Sequence, residues 1–156
     1  MNLVGFDGER YIFEFRRRER EVFAAILRLY PVLNPDYHQL SRSNVKDTRV
    51  EESQALLQEA MAEQREANRK QVAQFLEEGN WEEHENRFRV SITKENMEWL
   101  LQVLNDIRVG SWVILGKPDP DAGDKPKVTL SNMPYAGAME LCGYFQMALL
   151  EARQFE

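Results

Sequence analysis

The chain has 156 residues, enough for one domain with a continuous core and no help from metal or disulfide. Its formal net charge of −6 argues against a surface built to coat nucleic acid, and its single cysteine, Cys142, excludes an internal disulfide. No apolar run approaches the roughly 18 residues of a membrane span, and MNLVGFDGER at the start lacks the basic and apolar parts of a secretory signal, so the expectation is a cytoplasmic protein.

The first elements read as a β-hairpin with strands near 2–6 and 10–15. Asp7-Gly8 between β-forming runs predicts a two-residue turn with both positions at φ > 0. Alternation sets Tyr11, Phe13 and Phe15 on one face, which needs a cover. A helix near 17–31 follows, with the stripe Val22, Phe23, Ile26, Leu29, Tyr30 and Leu33, and Glu19 projects along its middle at the first turn. The run Arg16, Arg17, Arg18 and Arg20 beside the aromatic hairpin has the elements of a polyanion contact. Glu14, Glu19 and Glu21 dilute that charge, so a solvated face is the expectation.

After a loop containing LNPDYHQLSRSN, a long charged helix is predicted near 48–78, ended by Gly79-Asn80 as a C-cap. Both of its ends carry apolar residues (Val50, Leu56, Leu57, Met61; Val72, Phe75, Leu76), whereas Ala62–Gln71 is nearly all polar and should stand in solvent or meet a partner. A strand near 87–92, RFRVSI, should pair with the hairpin, since a lone two-stranded ribbon is barely stable. The two histidines, His38 and His84, fall in separate polar loops without the spacing of a zinc site, and Glu82, Glu83, His84 and Glu85 make at most an adventitious cation contact. No metal or cofactor is expected.

The helix near 94–115, capped by Thr93, is the most irregular element. Met97, Leu100, Leu101, Leu104, Ile107, Ser111, Ile114 and Leu115 form one broad stripe, and Arg108 lies close to its centre. The last helix, near 134–154, has the stripe Tyr135, Ala138, Met139, Leu141, Cys142, Phe145, Leu149 and Leu150, with Gln146 inside it. Three polar intrusions into three stripes predict that Glu19, Arg108 and Gln146 meet. They form either an internal clamp, with Arg108 forked onto Glu19, or a pocket in which Arg108 awaits an external carboxylate or phosphate; the clamp is the expectation. Trp99, Asp106 and Val113 lie on the opposite side, a second face that packs on the long charged helix or else forms a subunit contact.

Between these helices, Gly116–Pro134 is a loop with four prolines, long enough for a lid or a partner contact. Its DPDAGD stretch fails the calcium-loop spacing, because the glycine comes early and Leu130 stands where the closing Glu belongs. Cys142 reads as a small buried hydrophobe, with no histidine predicted beside it. The chain carries no nucleophile elbow, phosphate-binding glycine loop or Cys-x-x-Cys, which weighs against an enzyme. The expected fold class is α+β and mainly helical: one domain over 1–156, about four helices packed with a small two- or three-stranded antiparallel sheet.

The segment LNDIRVGSWVILG, preceded by VSITKENMEWLLQ and followed after the loop by YFQMALLEA, resembles an uncharacterised bacterial family, the domain of unknown function numbered two-thousand-seventeen, or a sister group of it. That family has a Trp-containing helix with an Asn-Asp-x-Arg core and a closing helix with an aromatic-x-Gln element, matched here by Asn105, Asp106, Arg108 and Gln146. The resemblance covers Val90–Glu151 and is loose before it. It implies a small cytosolic protein; some relatives are labelled transcriptional regulators and some occur beside the proteolytic adaptor ClpS. The functional expectation is a non-enzymatic protein-interaction or regulatory module of the bacterial cytoplasm, whose partner is another protein or a second copy of the chain. The alternatives are a nucleic-acid-associated regulator using the arginine run, and a small-anion-binding protein or enzyme with a pocket at Arg108.

Overall fold

The computed structural model describes residues 1–33, 48–77 and 81–155. In chain order the elements are β1 (Asn2–Phe6), β2 (Arg10–Arg16), α1 (Arg17–Leu27), α2 (Thr48–Glu77), β3 (Trp81–His84), β4 (Arg87–Thr93), α3 (Lys94–Ile114) and α4 (Met133–Ala152), closed by a single 3-10 turn at Arg153–Phe155. The fold is mainly helical α+β, with one antiparallel sheet in the order β1-β2-β4-β3.

That sheet has four strands rather than the expected two or three. The missed strand, β3, is the stretch WEEH, read from sequence as a polar loop; it is only four residues long and three of them are exposed. An edge strand that contributes one inward side chain has almost no apolar alternation to detect, and its glutamates guard the edge. Here the inward residue is Trp81, whose ring lies 5.2 Å from Phe15 and whose Nε1 donates to the Phe75 carbonyl at 3.0 Å. Glu85 and Asn86 form the β3–β4 turn with φ of 47° and 66°, the double positive-φ geometry expected at Asp7-Gly8. At the first hairpin the turn slips on by one residue. The Asp7 amide donates to the Arg10 carbonyl, Gly8 alone has positive φ, and the Asp7 carboxylate accepts from the Glu9 and Arg10 amides.

The inner face of the sheet, Tyr11, Phe13, Phe15, Val90 and Ile92, is buried under α1, α3 and α4. Rings carry much of this packing: Phe23 meets Phe15 at 5.3 Å and Phe145 at 4.7 Å between centroids. α1 ends at Leu27, short of the expected 31, and Tyr30–Leu33 then crosses α3 at Gly110. α3 and α4 run antiparallel. Asn105–Trp112 face Met139–Gly143 at one end, and Arg153 Nη2 pairs with Glu98 Oε1 at 2.6 Å at the other. Thr93 caps α3 as expected, its hydroxyl accepting from the Asn96 amide at 3.2 Å.

Among the described residues, α2 packs mainly through its C-terminal half. Its C-terminal half packs through Val72 and Phe75, whose ring sits 6.0 Å from Trp99, whereas Leu56 in the N-terminal half is 68% exposed. The polar stretch expected to stand in solvent contributes one buried residue, Asn68. Among the described residues no helix is long and apolar enough to cross a membrane.

Candidate functional site

The predicted meeting of Glu19, Arg108 and Gln146 does not occur. Glu19 Oε1 accepts from the Met1 ammonium at 2.8 Å, and Oε2 accepts from the Arg16 amide at 2.8 Å, closing the first turn of α1. Burial pushes the Glu19 carboxyl up, but these two hydrogen bonds outweigh it and hold the group below the usual carboxylate range. Gln146 is half-buried, with Oε1 sheltered and unpartnered among the described residues, and Arg108 is exposed.

The physical reason lies in the arc of α3 that is covered. Its buried residues include Val103 and Gly110 beside Met97, Leu100, Leu104, Ile107 and Ser111, and also Trp99. α2 and the Tyr30–Leu33 crossing cover the Trp99 side, which rotates the core arc away from Arg108 and leaves it just beyond the boundary. Trp99, offered by the sequence as a second face, is 9% exposed, and its Nε1 donates to Asn68 Oδ1 at 3.3 Å. Trp99 thus meets α2, while Asp106 of the same face is exposed and Val113 is half-buried.

Arg108 instead stands in a cavity of about 520 Å³ between α3, the proline-rich loop and α4. α3 contributes Asn105, Arg108, Val109 and Trp112, and α4 contributes Met139, Glu140 and Gly143. Pro118, Pro120, Asp124 and Pro126 form the loop wall. Trp112 Nε1 donates to the Pro118 carbonyl at 3.0 Å, pinning the loop to α3. A Cβ built at Gly143 would lie 4.0 Å from the guanidinium carbon of Arg108, an ordinary contact distance, so the cation rests beside α4. The loop is held by its own aspartates: Asp119 Oδ1 accepts from the Asp121 amide and Asp124 Oδ2 from the Asp119 amide. Among the described residues no three His, Cys, Asp or Glu side chains are grouped to hold a metal ion. Behind the cavity, burial pushes the Cys142 thiol up to about 12 against a smaller opposing pull from Arg108, which leaves it an unreactive core group at neutral pH.

The four residues of the family resemblance are divided by this geometry. Asn105 and Arg108 line the cavity, Asp106 faces a second pocket beside Tyr30, and Gln146 lies outside both.

α4 continues the surface. Its core face is Ala138, Cys142, Phe145, Leu149 and Ala152, yet its outer face is also apolar, with Met133, Leu141, Tyr144, Met147 and Leu150 all exposed. Met139, Gly143 and Met147 succeed one another at four-residue steps, so a stripe runs from the cavity along the helix. Leu141 and Leu150, assigned to the core from sequence, belong to this outer surface. Sequence reasoning took one stripe and stopped; the available signal was that Glu140, Gln146 and Glu151 are the only charged or amide residues across α4.

Two of the four residues of the arginine run, Arg17 and Arg20, lie over the protein's own aromatic rings. Arg20 stacks over Phe88 at 4.6 Å and Trp81 at 5.2 Å, while Arg17 lies over Phe88 at 5.7 Å and pairs with Glu83. Arg87 and Arg89 both pair with Glu14 at 3.0 Å. Arg16 and Arg18 are exposed. His84 sits on β3, not in a loop, and His38 lies outside the described residues.

No protein family, curated protein or solved structure matches this chain.

Proposed function

We propose that this protein is a bacterial cytoplasmic interaction module that works by binding another protein, through the outer side of the α3–α4 pair. The observation that carries the reading is α4 itself: its outer side exposes Met133, Leu141, Tyr144, Met147 and Leu150, interrupted by Glu140 and Glu151, and among the described residues nothing covers it. The occupant is an apolar segment of a partner protein, laid along Met147 and Leu150, with a carboxylate that reaches Arg108 at the head of the stripe. Charge complementarity selects that chemistry, because the Arg108 side chain has no ion pair among the described residues. Membership of the family resembled by Val90–Glu151 belongs to the same proposal.

The test is affinity capture from the native lysate at moderate and high salt, comparing wild type with Met147→Glu, Arg108→Glu and the control Arg18→Glu. One protein held in stoichiometric amount by wild type and by Arg18→Glu, and released by the other two, is the expected result. Equal retention by all four sinks the reading. A wild-type dimer in sedimentation that Met147→Glu dissociates replaces it with self-association.

A second reading is favoured by Glu19 turning away from Arg108: the cavity of about 520 Å³ is of ligand size, with one guanidinium among mostly apolar walls, and suits a small anion. Glu140 and Asp124 on the same walls disfavour highly charged anions.

A further inference from the structure

The cavity beside Arg108 carries charge of both signs. Arg108 lines it from α3, Glu140 from α4 and Asp124 from the proline-rich loop, and all three residues are exposed. Among the described residues no ion pair joins Arg108 to either carboxylate, although the three share one space of about 520 Å³. Glu140 makes no hydrogen bond there either, whereas Asp124 turns Oδ2 to the Asp119 amide. Opposite charges that share a cavity without pairing are complementary to a ligand that carries both signs at once. Asn105 lies one turn before Arg108 and lines the same wall. An amide and a guanidinium three residues apart on a helix are neighbours, so both can donate to the two oxygens of one carboxylate. The Trp112 N–H is committed to the Pro118 carbonyl, which leaves its ring to offer the cavity apolar contact, as Met139 does from α4.

We infer that the cavity binds a free α-amino acid with a large apolar side chain. Its carboxylate takes hydrogen bonds from Arg108 and Asn105, its ammonium donates to Glu140, and its side chain rests against Trp112 and Met139. The inference rests on reading the Arg108 cavity as a small-molecule site, and it narrows the ligand from a small anion to a zwitterion. A bare anion pairs with Arg108 but is repelled by Glu140 and Asp124, and a bare amine is repelled by Arg108. The zwitterion answers both signs, and the space left around its charged end calls for a side chain.

L-Phenylalanine is the probe, with hydrocinnamate, which lacks the ammonium, and phenethylamine, which lacks the carboxylate, carrying the same ring. Each is titrated into ¹⁵N-labelled full-length protein while the indole resonances are followed. Trp112 lines the cavity; Trp99, bonded to Asn68 of α2, and Trp81, on the sheet, are the controls. A saturable Trp112 shift with L-phenylalanine, steady Trp99 and Trp81, and roughly tenfold weaker binding of both analogues are expected. Glu140→Gln should erase the preference for L-phenylalanine over hydrocinnamate, and Arg108→Gln the preference over phenethylamine; both residues are exposed, so both variants should keep the wild-type melt. Hydrocinnamate binding as tightly as L-phenylalanine overturns the amino-acid inference and leaves the small-anion reading standing. No saturable Trp112 shift with any of the three overturns both. An undiminished preference in Glu140→Gln removes the ammonium's partner and overturns the site, and L-alanine binding as tightly as L-phenylalanine overturns the apolar side chain. Should either variant fail to fold, the ligand comparison in wild type decides the matter.

Discussion

Trp99 and Trp112 belong to the same helix, roughly 140° apart around its axis, and their surroundings differ completely. Trp99 is 9% exposed, packed edge-on against Phe75 of α2 and hydrogen-bonded to Asn68, while Trp112 is 39% exposed and hydrogen-bonded to the Pro118 carbonyl of a loop. The first is structure and the second is surface. Trp99 shares its arc with Val103 and Gly110 and is covered by α2, whereas Trp112 stands beside Asn105, Arg108 and Val109 and meets the proline-rich loop.

The strongest way to break this comparison is to truncate the covered tryptophan. Trp99→Ala should cost about 3–5 kcal/mol in chemical denaturation, through the cavity it opens and the Asn68 acceptor it strips of a donor. Trp112→Ala should change stability by less than about 1 kcal/mol. Equal losses would mean that both faces are core. A smaller effect is expected at Gly110, where a Cβ would stand 2.7 Å from Val32 Cβ. Gly110→Ala gains helix propensity yet should still lose about 1–2 kcal/mol, because the crossing chain must move. A stabilised variant would show that the Tyr30–Leu33 segment does not clamp the covered side.

Glu19→Gln should cost about 1 kcal/mol, mainly the weakened cap at the Arg16 amide and the lost pairing with the Met1 ammonium. The pH sign follows from a carboxyl held below its unfolded value. Its contribution is full above the unfolded carboxyl range and is lost as pH falls through the folded value, so wild type and Glu19→Gln should converge in melts taken from about pH 5 downward. Smallest of all is Arg108→Met, expected within about 0.5 kcal/mol of wild type because the side chain is exposed. The double variant Glu19→Gln/Arg108→Met should be additive; a coupling above about 0.5 kcal/mol would restore the clamp that the sequence suggested.

Where local rules decide an element, it was legible. Alternation in YIFEF and RFRVSI marked β2 and β4, Thr93 marked the start of α3, and the prolines bounded the loop before α4. β3 was not legible, because one inward Trp81 and two glutamates make no pattern. The polar intrusion at Arg108 was real as a departure from the stripe, but its meaning was misread. One helical position is about 100° of rotation, so a modest shift of the covered arc moves a residue from core to rim. Asn68 was the converse case: within a polar stretch, nothing local distinguishes the one amide that Tyr30 and Trp99 will reach.

By itself, then, the sequence determined the four helices, the strands β1, β2 and β4, and the β2 rings that line the sheet, since these follow from short-range sterics and side-chain periodicity. Only the tertiary structure decided which arc of α3 is buried, that Glu19 serves Met1 and Arg16, and that Arg65 and Arg108 stand in separate pockets. Those outcomes depend on where distant elements dock, and a buried donor or an open apolar face exists only once the neighbours that cover or fail to cover it are in place.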